Sequence, residues 1–444
     1  TLWALGVLSK TKHNEVAPAQ HEMAPVFSDA NSACDQNQLA MEMMKKVADR
    51  HGLVCLLHEK PFAGVNGSGK HDNWSLSTDT GKNLFKPGST PRQNAQFLLF
   101  LAAFIKGVDD YQEFLRATVA FPGNDHRLGA QEAPPAVISI FLGDELGRVV
   151  ESIINGEEYE NAEEAYVDLG VEALPNFLKD NTDRNRTSPF AFTGNKFEFR
   201  MPGSQVNLSD ANTVLNTAVA KALKDFTLAV DGAENFEQAA FAWVRSTLTA
   251  HQRIIFNGDG YSDEWLDEAE RRGLLNLKST VDAAPTMIDQ KNLDLFAKHN
   301  VYTSAEIYSR METQLEEYNK ILHIEAMTMS DMVREEITPA CIAFENELAG
   351  TVNAKKAAGV TGGMEAGLLG KVSELTEELY TKSAALDEAV AAVPTDDNEK
   401  AAHYYHDVVI SAMDEVRAPA DKLEGLVGKK FWPFPTYSDI LFYV

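Results

Sequence analysis

Four stretches of the 444-residue chain carry residue types that do chemistry. The first is GVNGSGKH, Gly64 to His71. It has the G-x-x-x-x-G-K frame of a phosphate-cradling loop, with a histidine where the magnesium-holding Ser or Thr belongs. Such a loop joins a strand to the helix whose N-terminus meets the anion. Here Pro61 interrupts the approach, and the DNWSLSTDTG that follows alternates instead of opening a helix. The glycines then serve close approach of backbone to a ligand, and His71 becomes a metal or phosphate contact. A glycine-rich hairpin loop with no ligand is the alternative.

The second stretch, HNEVAPAQHEMAP (His13 to Pro25), holds Glu15 and Glu22. Pro18 and Pro25 argue against a helix. On a straight strand their odd spacing sends the two carboxylates to opposite faces, so only a bend or bulge unites them. Solvated surface acids are the alternative. The third, FPGNDHRLGAQEAPPA (Phe121 to Ala136), puts Arg127 and Glu132 among turn residues, on a surface loop or on a segment that closes over a ligand. In the fourth, DRNRTSPFAFTGNKFEFRMPGS (Asp183 to Ser204), KFEFRM alternates strictly. Lys196, Glu198 and Arg200 share one face; Phe197, Phe199 and Met201 share the other. The polar row is either a solvated strand face or a site, with Glu198 suited to a metal and Arg200 to a carboxylate or phosphate. Upstream, Arg184 and Arg186 flank Asn185 in a loop, where guanidinium forks suit phosphate oxygens.

The elements that must position these residues change character along the chain. GLVCLLH (Gly52 to His58) reads as a buried strand, and NWSLS (Asn73 to Ser77) and AVISIFLG (Ala136 to Gly143) as two more. A helix is expected from about Cys34 to Arg50, and another with Thr90 as cap and Pro91 at its first position. Beyond about residue 205 the apolar residues recur at helical spacing. Ser209 is the expected cap of the first such helix, and a long pattern covers residues 304–348. Gly, Ala and Lys dominate residues 351–371, which read as a flexible connection. Helices over about 371–393 and 403–426 and a docked aromatic tail, KFWPFPTYSDILFYV, complete the chain. The expected domains are 1–205, 206–350 and 351–444.

Net charge is -26, with 66 acidic and 40 basic residues and no Lys/Arg block, which disfavours a nucleic-acid or anionic-membrane partner. Cys34, Cys55 and Cys341 have no CxxC spacing, so neither a disulfide framework nor a cysteine zinc site is expected. The run FLLFLAAFI is too short to span a bilayer. The opening TLWALGVLSK has no signal-peptide pattern and no initiator Met, as if the chain were entered part-way. An acidic cytoplasmic protein is expected.

Taken together and in order, NEVAPAQHE, NGSGKHDNWS, HRLGAQEAPPA and NRTSPFAFTGNKFEFR resemble glutamine synthetase. The helical C-terminal half and the tail WPFPTYSDILF resemble its type III branch, and the resemblance covers essentially the whole chain. It implies an α+β catalytic domain, an antiparallel sheet or half-barrel with helices, followed by a long helical C-terminal region. It implies ATP-dependent ligation of ammonia to the γ-carboxylate of L-glutamate through γ-glutamyl phosphate, with two or three Mg²⁺ or Mn²⁺ ions per site. Glu15 and Glu22 match carboxylates of one cation; His71 and Glu198 match ligands of another. Asn66 and Gly67 match the glutamate-binding loop. Arg127 and Arg200 match arginines near glutamate and the transferred phosphate, and Glu132 matches the flap acid that takes a proton from ammonium. Arg186 matches an ATP-phosphate arginine, and Asn73, Ser75 and Lys196 fall at nucleotide-binding positions. A homo-oligomer, by resemblance a ring-based dodecamer, is implied.

The chain departs from the family's pattern at its start, where members carry a strand with two further metal carboxylates and a β-grasp domain. It is therefore expected to be a truncated record with little or no activity as it stands. Ala191 and Lys196 stand where the bacterial type I pattern has arginines, and Asn73 where it has a second histidine. The alternatives are a γ-glutamyl ligase for another amine, such as a polyamine, and a non-catalytic ATP-binding pseudoenzyme.

Overall fold

A computed structural model describes residues 1–157, 166–167, 177–178, 187–436 and 439. They divide into two compact units, Thr1–Met311 and Glu312–Val444, so residues 206–311 group with the region expected as the first domain.

The first unit opens with an antiparallel hairpin of β1 (Ser9–Asn14) and β2 (His21–Pro25). Helix α1 (Ala30–Arg50) starts where Asp29 accepts the Ser32 amide at 3.0 Å. Strand β3 (Asp72–Trp74) follows. Helix α2 (Ala95–Asp110) is capped by Asn94, whose side chain accepts from Phe97 N at 3.1 Å. Thr90 and Pro91, expected as cap and first residue, belong instead to a separate 3₁₀ turn at Pro91–Gln93. Two short helices, α3 (Gln112–Ala117) and α4 (Pro122–Arg127), lead to β4 (Ile140–Phe141) and α5 (Asp144–Asn155). A small pair, β5 (Tyr166–Val167) and β6 (Phe177–Leu178), precedes β7 (Phe190–Phe192) and β8 (Phe197–Phe199). Helices α6 (Leu208–Val230), α7 (Phe236–His251), α8 (Asp263–Arg271), α9 (Thr280–Ala283) and α10 (Gln290–His299) follow. Asn207, not Ser209, caps α6; its side chain accepts the Ser209 amide at 2.9 Å.

The site is built on a four-stranded sheet ordered β3-β8-β7-β4, in which β3–β8 and β8–β7 are antiparallel and β4 joins β7 in parallel. Its apolar face is the one the KFEFRM alternation marks: Phe197, Phe199 and Met201 are buried. Phe197 stacks on Phe104 of α2 with ring centroids 3.6 Å apart, and Phe199 stacks on Phe190 at 4.4 Å. Burying each ring contributes roughly 2–3 kcal/mol, which fixes the opposite, polar face in place. Gly107 of α2 permits the crossing with α6, since a Cβ there would stand 3.1 Å from the Ala218 backbone carbon.

One expected strand is absent. Gly52 to His58 forms no strand, and Leu53, Val54 and Leu56 are exposed, Val54 at 84%. An unbroken apolar run is consistent with a buried strand but does not supply a neighbour to pair with; among the described residues this run has none.

The second unit contains most of α11 (Ser304–Met332), then α12 (Thr338–Ala357), α13 (Gly363–Ala391), α14 (Asn398–Tyr404) and α15 (Ile410–Glu424). The expected 304–348 helix is interrupted by a π turn at Val333–Ile337. Pro339 lies two residues beyond it and cannot donate to the carbonyl four positions back, so the ladder widens there. The stretch expected to be a flexible connection is mostly helix. It contains the end of α12, a left-handed Gly359 (φ 72°) and the start of α13. Phe431 packs on Phe344 of α12 at 5.5 Å, and Trp432 is buried, so the start of the tail is docked. Most of the tail beyond Thr436 lies outside the described residues.

Candidate active site

The pairing Asn73↔Glu198 puts both side chains on the polar face of the sheet, opposite Trp74, Phe197 and Phe199. Glu198 and Arg200 are only 7% and 3% exposed, so the row is not a solvated face. Arg200 donates to Glu198 Oε2 from Nη2 at 3.1 Å and from Nε at 3.3 Å. Lys196 Nζ lies 3.9 Å from Glu198 Oε1 and donates to Thr193 Oγ1 at 2.8 Å. A carboxylate this buried needs countercharge, and this one has it.

His71 immediately precedes β3. Protein crowds its ring while one surface stays exposed. That crowding, and then the Arg200 charge, pushes the imidazole down to about 4, with Glu198, Arg127 and Glu15 also acting on it. This direction leaves a neutral imidazole at pH 7, the form that ligates a cation.

The glycine loop meets the segment around Glu132. Asn66 Nδ2 donates to Glu132 Oε2 at 3.0 Å, and Lys60 Nζ donates to both Val65 O and Gln131 Oε1. Gln131 (φ 50°) and Glu132 (φ 69°) are both left-handed without being glycine, a conformation costing on the order of 1 kcal/mol or more each. Tyr261 packs beside them; burial and then the Glu132 charge push its hydroxyl up to about 12. Arg127 is buried, and two of its guanidinium nitrogens are held by oxygen acceptors. Nη1 donates to Asn124 Oδ1 at 3.0 Å and Met201 O at 3.1 Å, and Nη2 donates to Arg200 O at 3.1 Å. Burial lowers it to about 10, with Glu59 opposing, so it stays charged at neutral pH. In this arrangement Arg127 ties the end of α4 to the residues that follow β8.

Glu15 and Glu22 do converge, through a hairpin rather than a bent single strand. Glu22 on β2 stands opposite His13 on β1, and Glu15 follows β1, its amide donating to Gln20 O at 3.0 Å. Among the described residues, His13, Glu15 and Glu22 form the one group of three whose ligand atoms all lie within 4.8 Å of one another. His13 Nε2 is 2.7 Å from Glu15 Oε1 and 2.8 Å from Glu22 Oε2, bridging the carboxylates where a cation would sit. The Glu15 hydrogen bond raises His13, and desolvation followed by Glu15 raises Glu22. Two hard carboxylates drawn together by one bridging side chain suit a divalent cation. Gln20 Nε2 donates to Gly67 O at 3.0 Å, joining this hairpin to the glycine loop.

Asn73 Nδ2 donates to His71 O at 3.2 Å. Ser75 Oγ donates to Asn195 O at 2.8 Å and accepts from Asn83 Nδ2 at 2.8 Å, fixing the turn that carries Lys196. Arg186, with Arg184 and Asn185, lies outside the described residues. Sequence reasoning missed His13, Gln20, Glu59, Lys60 and Tyr261. Only His13 had a signal, its place two residues before Glu15.

Residues 1–124 match the family model described as the glutamine synthetase catalytic domain, and residues 239–356 match that of the glutamine synthetase C-terminal domain. The chain is 46% identical over 445 residues to a glutamine synthetase of Butyrivibrio fibrisolvens, an alignment covering 99% of the chain. It belongs to the glutamine synthetase family. It is also 46% identical over 455 residues to a type-3 glutamine synthetase of Dictyostelium discoideum and 38% over 452 to a glutamine synthetase of Bacteroides fragilis, each covering 99% of the chain. The chain spans 63%, 61% and 62% of the lengths of these three relatives. Glu15, Glu22, Asn66, Gly67, His71, Asn73 and Ser75 fall inside the matched catalytic-domain model. Arg127, Glu132, Lys196, Glu198 and Arg200 lie between the two models.

Proposed function

We propose that the full-length protein, a member of the type III branch, joins ammonia to the γ-carboxylate of L-glutamate at the expense of ATP. A γ-carboxylate oxygen attacks the γ-phosphorus and ADP leaves; ammonia then attacks the acyl carbon of γ-glutamyl phosphate and phosphate leaves, giving glutamine. The observation that carries this reading is the bond from Asn66 to Glu132. It puts the loop that would hold glutamate beside the carboxylate that would take the ammonium proton. Arg200, with Arg127 behind it, supplies positive charge for the glutamate carboxylate and the transferred phosphoryl group. Asn73, Ser75, Lys196 and Arg186 would contact ATP. Glu15 and Glu22 would hold one divalent cation, and His71 with Glu198 another, of the two or three Mg²⁺ or Mn²⁺ ions; bound cations supply neutralisation of phosphate charge. The flap over Glu132 would exclude water from the acyl phosphate. The working form would be a cytoplasmic homo-oligomer, a ring-based dodecamer.

The test is γ-glutamyl hydroxamate formation by the full-length protein from glutamate, ATP, Mn²⁺ and hydroxylamine. A folded, oligomeric sample that forms none refutes the proposal.

A further inference from the structure

Glu59 is a carboxylate with no solvent exposure, on no motif and with no place in the chemistry above. Burial raises its pKa, opposed by the bonds it accepts from Gln205. Those bonds run from Gln205 N to Oε1 at 2.8 Å and from Gln205 Nε2 to Oε2 at 3.2 Å. Two glycines are cut away around it. A Cβ on Gly123 would stand 2.5 Å from Glu59 Oε2, and a Cβ on Gly203 would stand 2.6 Å from Glu59 Cγ and 2.7 Å from Oε1. Gly123 lies on α4, four residues before Arg127; Gly203 lies just beyond Arg200. The backbone of Glu59 serves the third segment. Its carbonyl accepts the Ser68 amide at 2.7 Å, and a Cβ on Gly67 would stand 2.5 Å from that oxygen and 3.0 Å from Arg127 Cγ. The negative charge of Glu59 also opposes the downward shift of Arg127.

One buried residue therefore touches the glutamate loop, the helix that ends in Arg127 and the strand end that carries Arg200. Isolated buried carboxylates are costly and persist only where hydrogen bonds and countercharge hold them. We propose that Glu59 is a positioning residue for glutamate. It sets the spacing between the Asn66–Gly67 loop and the Arg127–Arg200 pair, and it touches neither substrate nor metal. The glutamate assignment rests on the function proposed above; the coupling of the three segments does not.

The variants are Glu59→Gln and the gentler Gln205→Ala, which removes one donor from an exposed side chain and leaves the chain able to fold. Two readouts are taken on the full-length protein. Hydrogen exchange should show at least tenfold faster exchange in peptides spanning 64–71 and 121–128 in Glu59→Gln, with helices α11 to α13 unchanged. Hydroxamate kinetics should show KM for glutamate raised about tenfold in Glu59→Gln and a few-fold in Gln205→Ala, with KM for ATP within twofold of wild type. A merely structural role would slow turnover without separating the two KM values. If wild type is active and the two KM values stay unchanged or rise together, the positioning role is overturned. If wild type forms no hydroxamate, the proposed function fails. Exchange then decides the coupling alone, and unchanged protection in both peptides overturns it. If Glu59→Gln does not fold, the same comparisons on Gln205→Ala decide.

Discussion

Gly69→Ala isolates how the glycine loop and Arg127 fit together. Gly69 is not in a left-handed conformation, so its requirement is spatial. A Cβ there would stand 2.8 Å from Arg127 Nε and closer still to Cζ and Nη2. The flexible guanidinium is the group that must move. Moving it breaks its bonds to Asn124 Oδ1, Met201 O and Arg200 O, at 3.0, 3.1 and 3.1 Å. Hydrogen bonds to a charged group are each worth roughly 1.5–3 kcal/mol, and a displaced arginine recovers part of this from water, so the net cost is about 3 kcal/mol. Gly64→Ala is the comparison. Its φ is 75° and a Cβ there meets nothing within 4 Å, so it carries only backbone strain of about 1 kcal/mol. Gly350→Ala, in α12 with open space around it, should be neutral or stabilising by up to about 1 kcal/mol. The assay is urea unfolding of the full-length protein followed by tryptophan fluorescence. A midpoint for Gly69→Ala no lower than that for Gly64→Ala would refute the reasoning, because the contact with Arg127 would then be soft.

Three further outcomes are expected of the full-length protein. His71→Ala should raise the Mn²⁺ concentration needed for half-maximal turnover at least tenfold. Lys70→Ala should instead lower the unfolding midpoint with little change in Mn²⁺ dependence, because Lys70 Nζ is tied to Val206 O at 2.6 Å in a half-buried position; comparable Mn²⁺ effects in the two variants would contradict this. Glu132→Gln should lower kcat by roughly 10²–10⁴ while ATP still binds, since a positioned base contributes that much; isothermal titration with ATP and a kcat within tenfold of wild type would count against the flap acid. Because Glu22 and His13 are both raised, protons compete for the hairpin cation site to higher pH than at an ordinary carboxylate. Mn²⁺ affinity measured by electron paramagnetic resonance should therefore fall steadily on acidification from pH 8 to 5.5, and a flat profile would remove the hairpin from the metal site.

Residues whose role follows from local periodicity were legible. KFEFRM alternates with period two, and the structure buries its three apolar residues and turns Glu198 to the other face. The same logic failed for GLVCLLH, because an apolar run states a preference for burial without naming what covers it. Helix starts were legible to within a few residues. The choice of Asn94 over Thr90 and of Asn207 over Ser209 turned on which side chain could reach the free amides. The π turn at Val333–Ile337 followed from Pro339, a residue visible in the sequence whose consequence was not drawn.

By itself, the sequence determined the order of the four polar stretches, their family, and the amphipathic strand and helices that hold them, because these depend on residue type and short-range spacing. Tertiary structure alone decided that Glu15 and Glu22 share His13 across a hairpin, that Arg127 reaches the backbone carbonyls of Arg200 and Met201, and that Glu59 sits where three segments meet. Each of these is a contact between residues distant in sequence or out of register with any repeat. It is set by which backbones pack within a few ångströms of one another, and no spacing along the chain encodes that distance.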